Sequence, residues 1–127
     1  MGYSTYLDNK VIDKIFKNTD FTVAAVYISL HTADPGDDGS NEVAVGTSGY
    51  ARQVGTFSSA ATSASENSAA VLFTNLPAGT VSYAGVWDAP TGTASNFLMG
   101  AALATAKVVN VGDSFQFNIG DIDTTHT

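Results

Sequence analysis

Few side chains in this sequence can do acid–base or nucleophilic chemistry at neutral pH. There is no cysteine, so thiolate nucleophiles, disulfides and thiolate metal sites are excluded. Of the two histidines, His126 is the second residue from the C-terminus, where order is least assured. His31 closes an alternating apolar stretch and reads as an ordinary polar residue on the outer face or at the end of its strand. A Ser-His-Asp triad needs a histidine base, and no Gly-x-Ser-x-Gly elbow accompanies either histidine. Phosphate-loop and dinucleotide glycine signatures are absent, and a histidine zinc site would need more imidazoles close together. The expectation is a non-enzymatic chain with no cofactor.

Two groupings offer other chemistry. Asp34, Asp37, Asp38 and Glu42 fall within nine residues beside Gly39 and Asn41, a supply of oxygen ligands on a turn that suits a hard cation such as Ca²⁺. The spacing is not that of an EF-hand, and the same aspartates serve equally well as caps on local backbone N–H groups. The site expectation is therefore no metal, with this loop as the weak calcium candidate. Tyr50, Tyr83, Trp87 and Phe97 could form a stacking platform for sugars, whereas a lone tryptophan in a small β-protein usually packs inside it.

Charge is sparse and unevenly placed. Charged residues make up 13% of the chain, against about 25% in typical domains. The formal net charge is −7, which argues against direct binding to nucleic acid, where clustered Lys and Arg supply the affinity. The first seventeen residues hold three lysines against two aspartates; the remainder holds two cations against ten acids. Lys10, Lys14 and Lys17 thus form either a solvated helix face or a basic contact for an acidic neighbouring subunit.

These residues must be positioned by a small set of elements. Leu7, Val11 and Ile15 recur every four residues, with Ile12 and Phe16 widening the stripe, so a helix is expected over residues 5–17. Thr5 and Asp8 have capping-box spacing, Asp13 and Lys17 have ion-pair spacing, and Asn18 suits a left-handed stop. Beyond it the period becomes two. Val26, Ile28 and Leu30 alternate with Tyr27, Ser29 and His31; Phe115, Phe117 and Ile119 alternate with Ser114, Gln116 and Asn118. Further strands are expected near 50–57, 69–73, 80–87, 96–103 and 107–111, separated by Gly, Pro and Asp turns. Residues 33–49 and 91–95 read as loops, 58–68 as a loop or arm without large apolar side chains, and 121–127 as a polar tail.

About seven short strands after one helix, with no strand–helix alternation, predict an all-β fold: an antiparallel β-sandwich, jelly-roll or Ig-like, with one N-terminal α-helix. At 127 residues the chain is expected to form one domain. The start has no apolar block of a secretory signal, and no run approaches the ~20 apolar residues of a membrane helix, so a soluble protein made in the cytoplasm is expected.

An ordered set of short motifs adds to this reading. Ser4-Thr5-Tyr6-Leu7-Asp8-Asn9-Lys10 opens the chain, followed by Tyr27-Ile28-Ser29-Leu30-His31-Thr32-Ala33-Asp34-Pro35, Glu42-Val43, and Gly49-Tyr50-Ala51-Arg52-Gln53. Asn67-Ser68-Ala69-Ala70-Val71-Leu72-Phe73, Gly85-Val86-Trp87-Asp88-Ala89 and Gly112-Asp113-Ser114-Phe115 complete it. The set resembles a family of small tailed-phage proteins labelled as tail fibre proteins. The resemblance implies a virion structural protein whose partners are other virion subunits and further copies of itself. Without coiled-coil heptads or a repeating strand unit for a fibre shaft, the preferred expectation is a capsid decoration or cement protein, bound to the major capsid protein through Lys10, Lys14 and Lys17. A tail fibre or receptor-binding tail component is the alternative.

Overall fold

The computed structural model describes residues 3–44, 49–92 and 96–125. His126 and parts of the loops at 33–49 and 91–95 lie outside the described residues. One helix, α1 (Thr5–Lys17), precedes eight strands: β1 (Val26–His31), β2 (Gln53–Gly55), β3 (Ala64–Glu66), β4 (Val71–Phe73), β5 (Gly79–Trp87), β6 (Phe97–Val109), β7 (Phe115–Phe117) and β8 (Asp123–Thr125). All strand pairs are antiparallel. The fold is all-β and sandwich-like, as the alternation predicts.

A four-stranded sheet in the order β2-β1-β5-β6 is the frame, with two-stranded sheets β4-β7 and β3-β8 beside it. Strand β1 is buried on both faces. Ile28 and Leu30 point to one side, into a core with Tyr50, Val71, Phe73, Leu76 and Phe117. Ser29 and His31 point to the other, where Trp87 and Phe97 meet them. Strand β5 is turned by a register shift. Val81 lies opposite Lys107 and Tyr83 opposite Ala102, so one residue of β5 faces the four residues 103–106 of β6. Because side chains alternate with period two, this bulge changes the parity. Val81 and, one residue out of phase with it, Ala84 and Val86 face the core, while Gly85 and Trp87 face the Ser29–His31 side.

The helix forms where expected, with its cap one residue earlier. Ser4, 3% exposed, is the N-cap: its hydroxyl accepts from Leu7 N–H and donates to the Phe97 carbonyl at 2.6 Å, and its N–H reaches the Leu98 carbonyl at 2.7 Å. Thr5 is the first helical residue, and its N–H goes to Asp37 Oδ1. A buried hydroxyl that caps the helix and pins it to β6 satisfies more groups than an exposed Thr5 would. Asn18 ends the helix at φ 51°, as its type predicts. The Asp13–Lys17 pair does not form; Lys14 pairs with Asp20 instead, at 3.5 Å.

Three expectations about strands are corrected. Residues 58–68 contain β3, and the polar tail contains β8, which pairs with it: Ala64 opposite Thr125, Ser65 opposite Thr124 and Glu66 opposite Asp123. This pair is held by backbone and hydroxyl hydrogen bonds, so it leaves no apolar alternation to read. The strands expected at 96–103 and 107–111 are one strand, β6, because the intervening small residues bulge instead of turning.

Asn67, fully buried, joins these pieces. Its amide donates to the Ala69 and Asn118 carbonyls and its carbonyl accepts from Ile122 N–H, all at 2.8–2.9 Å. Asn67→Ala removes three part-buried hydrogen bonds to backbone groups and is expected to cost roughly 3 kcal/mol, with protection of the 118–125 segment lost first in amide exchange. Equal exchange of that segment in the variant and the parent would contradict this role.

Candidate functional site

Behind the central sheet lies a chain of buried polar groups. Arg52, 8% exposed, forms a bidentate pair with Glu42: Nε to Oε2 at 2.9 Å and Nη2 to Oε1 at 2.8 Å. Its remaining N–H groups reach the Ala89 and Gly92 carbonyls, and its guanidinium carbon lies 3.4 Å from the centre of the Trp87 ring. Tyr50 donates to Glu42 Oε2 and accepts from Leu30 N–H, which ties the pair to β1. Burial and the neighbouring Glu42 carboxylate hold the Tyr50 phenol far above its ordinary value, so it stays a neutral donor.

A second branch starts at the indole. Trp87 Nε1 donates to Ser29 Oγ at 2.8 Å, Ser29 Oγ lies 2.7 Å from His31 Nε2, and His31 Nδ1 lies 2.8 Å from the Ser40 carbonyl. A carbonyl only accepts, so Nδ1 carries the imidazole proton and Ser29 donates to Nε2. Ser29 Oγ then accepts from the indole and donates to the imidazole, and both imidazole nitrogens are partnered. The His31 ring stacks on Trp87 with planes 6° apart. Burial lowers the His31 pKa from its ordinary value, opposed by the Ser40 carbonyl and Glu42 and reinforced by Arg52.

His31 ends its strand, as one half of the expectation had it, but it is buried and not on an open outer face. Its strand is sandwiched, so the polar half of the alternation is as buried as the apolar half. The space comes from glycine: a Cβ at Gly85 would fall 2.6 Å from Ser29 Oγ and 2.7 Å from His31 Nε2, and one at Gly39, held at φ 76°, would strike the Trp87 ring. Ser29 and His31 have the contact geometry of a nucleophile and its base. Both are 0% exposed, however, and the histidine's outer nitrogen meets a carbonyl where a triad places a carboxylate.

The calcium-candidate carboxylates are not drawn together. Asp34 accepts from Gly36 N–H, Asp37 from Thr5 N–H, and Asp38 from both the N–H and hydroxyl of Ser40, which lowers its pKa. Glu42 turns away to Arg52. Among the described residues no three acidic or histidine side chains form a metal-holding group. The aromatic platform also dissolves: Tyr50, Trp87 and Phe97 are buried.

The lysines lie on the helix as predicted, with Lys14 and Lys17 exposed and Lys10 half-buried. Lys10 Nζ sits 5.6 Å from the Tyr6 ring centre and Lys14 pairs with Asp20. Beside Thr5, Asp8, Asn9, Lys14 and Lys17, the helix also exposes large apolar side chains. Leu7 and Val11 are half-buried, while Ile12, Ile15 and Phe16 are 53%, 68% and 80% exposed. A second unfilled surface lies between β6 and β7, a groove of about 690 Å³ lined by Ala102, Leu103, Ala104, Phe115 and Ile122 among others. Asp121, Asp123 and Lys107 are its charged residues. Among the described residues no helix is long and apolar enough to cross a membrane.

The family model described as Podophage GP4 fiber I protein gp80 matches residues 2–125. The chain belongs to that family. Among curated proteins nothing matches it. A phage fibre family makes the chain a virion component, in line with the tail fibre resemblance. The family description names a fibre and does not supply the capsid-decoration assignment. Among the described residues, the outer side of the helix and the groove beside β6 both leave apolar side chains uncovered.

Sequence reasoning missed Arg52 and Ser29. A signal was available: Arg52 is the sole arginine beside four lysines, and arginine is the cation that suits a buried bidentate pair. Glu42→Ala strands a buried guanidinium and is expected to cost about 3–5 kcal/mol in urea unfolding; a loss under 1 kcal/mol would refute the pair's structural role. For His31 the folded-state pKa lies below the unfolded value of about 6.5. Stability from the neutral ring is therefore complete above that value and falls as pH drops through it, by at most ~1.4 kcal/mol per pH unit. His31→Gln should flatten the fall in urea midpoint between pH 7.5 and 5.5; an unchanged slope would assign the acid sensitivity to carboxylates.

Proposed function

We propose that this chain is a non-enzymatic subunit of a phage tail fibre, working by binding other virion subunits and further copies of itself. The match of the fibre family over residues 2–125 carries this reading. It is supported by chemistry: the best nucleophile–base pair, Ser29 and His31, is sealed under the sheet, and the carboxylates of the 33–42 loop are committed to backbone and to Arg52. It is also supported by what is left uncovered. Large aliphatic and aromatic side chains at 53–80% exposure on one helix cost solubility unless a partner covers them.

In this reading the sandwich is a rigid carrier. The Arg52–Glu42 pair and the Asn67 knot fix the loops, Ser4 and Tyr6 fix the helix on the sheet, and partners see a preformed surface. The acidic body and the scarcity of cations disfavour nucleic acid as a direct partner.

Quantitative mass spectrometry of purified virions distinguishes tail from head. A few to a few dozen copies per particle are expected for a fibre subunit. Hundreds of copies, scaling with the major capsid protein, would overturn the fibre assignment in favour of shell decoration.

A further inference from the structure

Among the described residues the sandwich is open along one side. The four-stranded sheet ends at β6 and a two-stranded sheet ends at β7. On the opposite side β2 lies against β4, and the segments flanking them are joined by the Ser68 N–H on the Thr56 carbonyl at 2.7 Å and by the Phe57–Asn67 bridge. Between β6 and β7 no such closure is made among the described residues, and the groove of about 690 Å³ lies there.

Its lining identifies the walls. Neighbouring side chains of a strand point to opposite faces, so consecutive residues line one groove where the strand's edge borders it. Residues 101–105 of β6 and all of β7, Phe115, Gln116 and Phe117, line this one. Beyond the β4 ladder, no backbone hydrogen bond among the described residues engages β7. Its free edge therefore presents unpaired N–H and C=O groups to the groove. The β6 wall is different. Its start is covered through the Tyr3–Met99 bridge and the Ser4 N–H on the Leu98 carbonyl. Residues 103–106 then bulge out of the β5 ladder, so this wall offers small side chains in place of a regular edge. Leu103, Phe115 and Ile122 pack against the core yet stay half-exposed, because the groove is open beside them.

These features select the occupant. A helix spends its backbone groups on itself, and an apolar small molecule has none to offer. An extended chain supplies main-chain donors and acceptors at strand spacing together with a row of apolar side chains on one face. The alanines at 101, 102 and 104 leave room for that row. Each described strand of this chain is already paired within it, so the segment comes from elsewhere. We infer that an extended segment of another virion subunit lies in the β6–β7 groove, adds to the free edge of β7, and turns alternate apolar side chains onto Leu103, Phe115 and Ile122. A pair of three-residue strands is marginal alone, and the added strand enlarges that sheet. The inference rests on the virion-subunit reading above for where the partner comes from.

Overlapping 15-residue peptides covering the structural proteins of the purified virion, this chain included, test it against the full chain. A segment of another subunit should bind, with amide exchange slowed at residues 115–117. Proline substituted along that peptide should weaken binding at least tenfold with a period of two, because alternate N–H groups face β7. Ala104→Trp, at an exposed position, should fill the groove and weaken binding at least tenfold with circular dichroism unchanged. If that variant does not fold, exchange in the parent and the proline period decide. No binding at 100 µM peptide, unchanged exchange at 115–117, or binding that survives in a folded Ala104→Trp variant would overturn the site. Binding by a peptide of this chain alone would overturn the partner in favour of a second copy. None of these outcomes alters the virion copy number, which tests the fibre reading separately.

Discussion

The buried pairing of Arg52 with Glu42 is the interaction on which the described structure leans most. Two charges are taken out of water here, which is favourable only when every donor and acceptor is used. The structure offsets the cost of that desolvation with four guanidinium hydrogen bonds, two to Glu42 and one each to the Ala89 and Gly92 carbonyls, together with the Tyr50 hydroxyl and the Trp87 face. The partners come from distant parts of the chain: the acidic loop before Val43, the segment entering β2, and the turn after β5. The pair therefore fixes the mutual position of three loops that share no sheet ladder. Through Tyr50 it also reaches the core, since that ring stacks on Phe73.

The same site explains why one strand, β1, can be buried on both faces in so short a chain. A sandwich ordinarily leaves the outer face of each sheet to solvent. Here the outer face of β1 is covered by the 33–42 loop, and the polar residues of the alternation find partners within it. Ser29, His31 and Trp87 close their hydrogen bonds in a line that ends on the Ser40 carbonyl. No buried side-chain polar atom among the described residues is left without a partner. Cohesion of this kind replaces part of what a larger apolar core would give.

Rigidity behind the sheet contrasts with what lies at the surface. The helix is fixed at its first turn by Ser4, Tyr6 and the Asp37 contact, and its last two turns hold the most exposed apolar residues of the element. The helix is thus anchored at one end and carries exposed apolar side chains on its outer side. The β6 edge beside the groove is blunted by a bulge of small residues and by Lys107, which discourages edge-to-edge strand pairing while leaving an apolar trough. Membership of a fibre family makes the chain that carries these surfaces a virion component.

The sequence by itself determined the elements that rest on local periodicity. The four-residue recurrence of Leu7, Val11 and Ile15 gave α1 its bounds, Asn18 its end, and the alternation around Ile28 and Phe117 the β-class of the fold. It also carried the family resemblance, because ordered motifs survive without knowledge of contacts. Tertiary structure alone decided the rest. Whether Ser29 and His31 face water depends on a loop folding over the second face of β1, which no period-two pattern encodes. Whether 64–66 and 123–125 are strands depends on each finding the other across nearly sixty residues, through backbone groups that every residue type carries. Whether the helix stripe is core or surface depends on which face Ser4 and Tyr6 turn toward β6. Local patterns report which side chains lie on one side of an element. The side that water reaches is set by what the remainder of the chain packs against it.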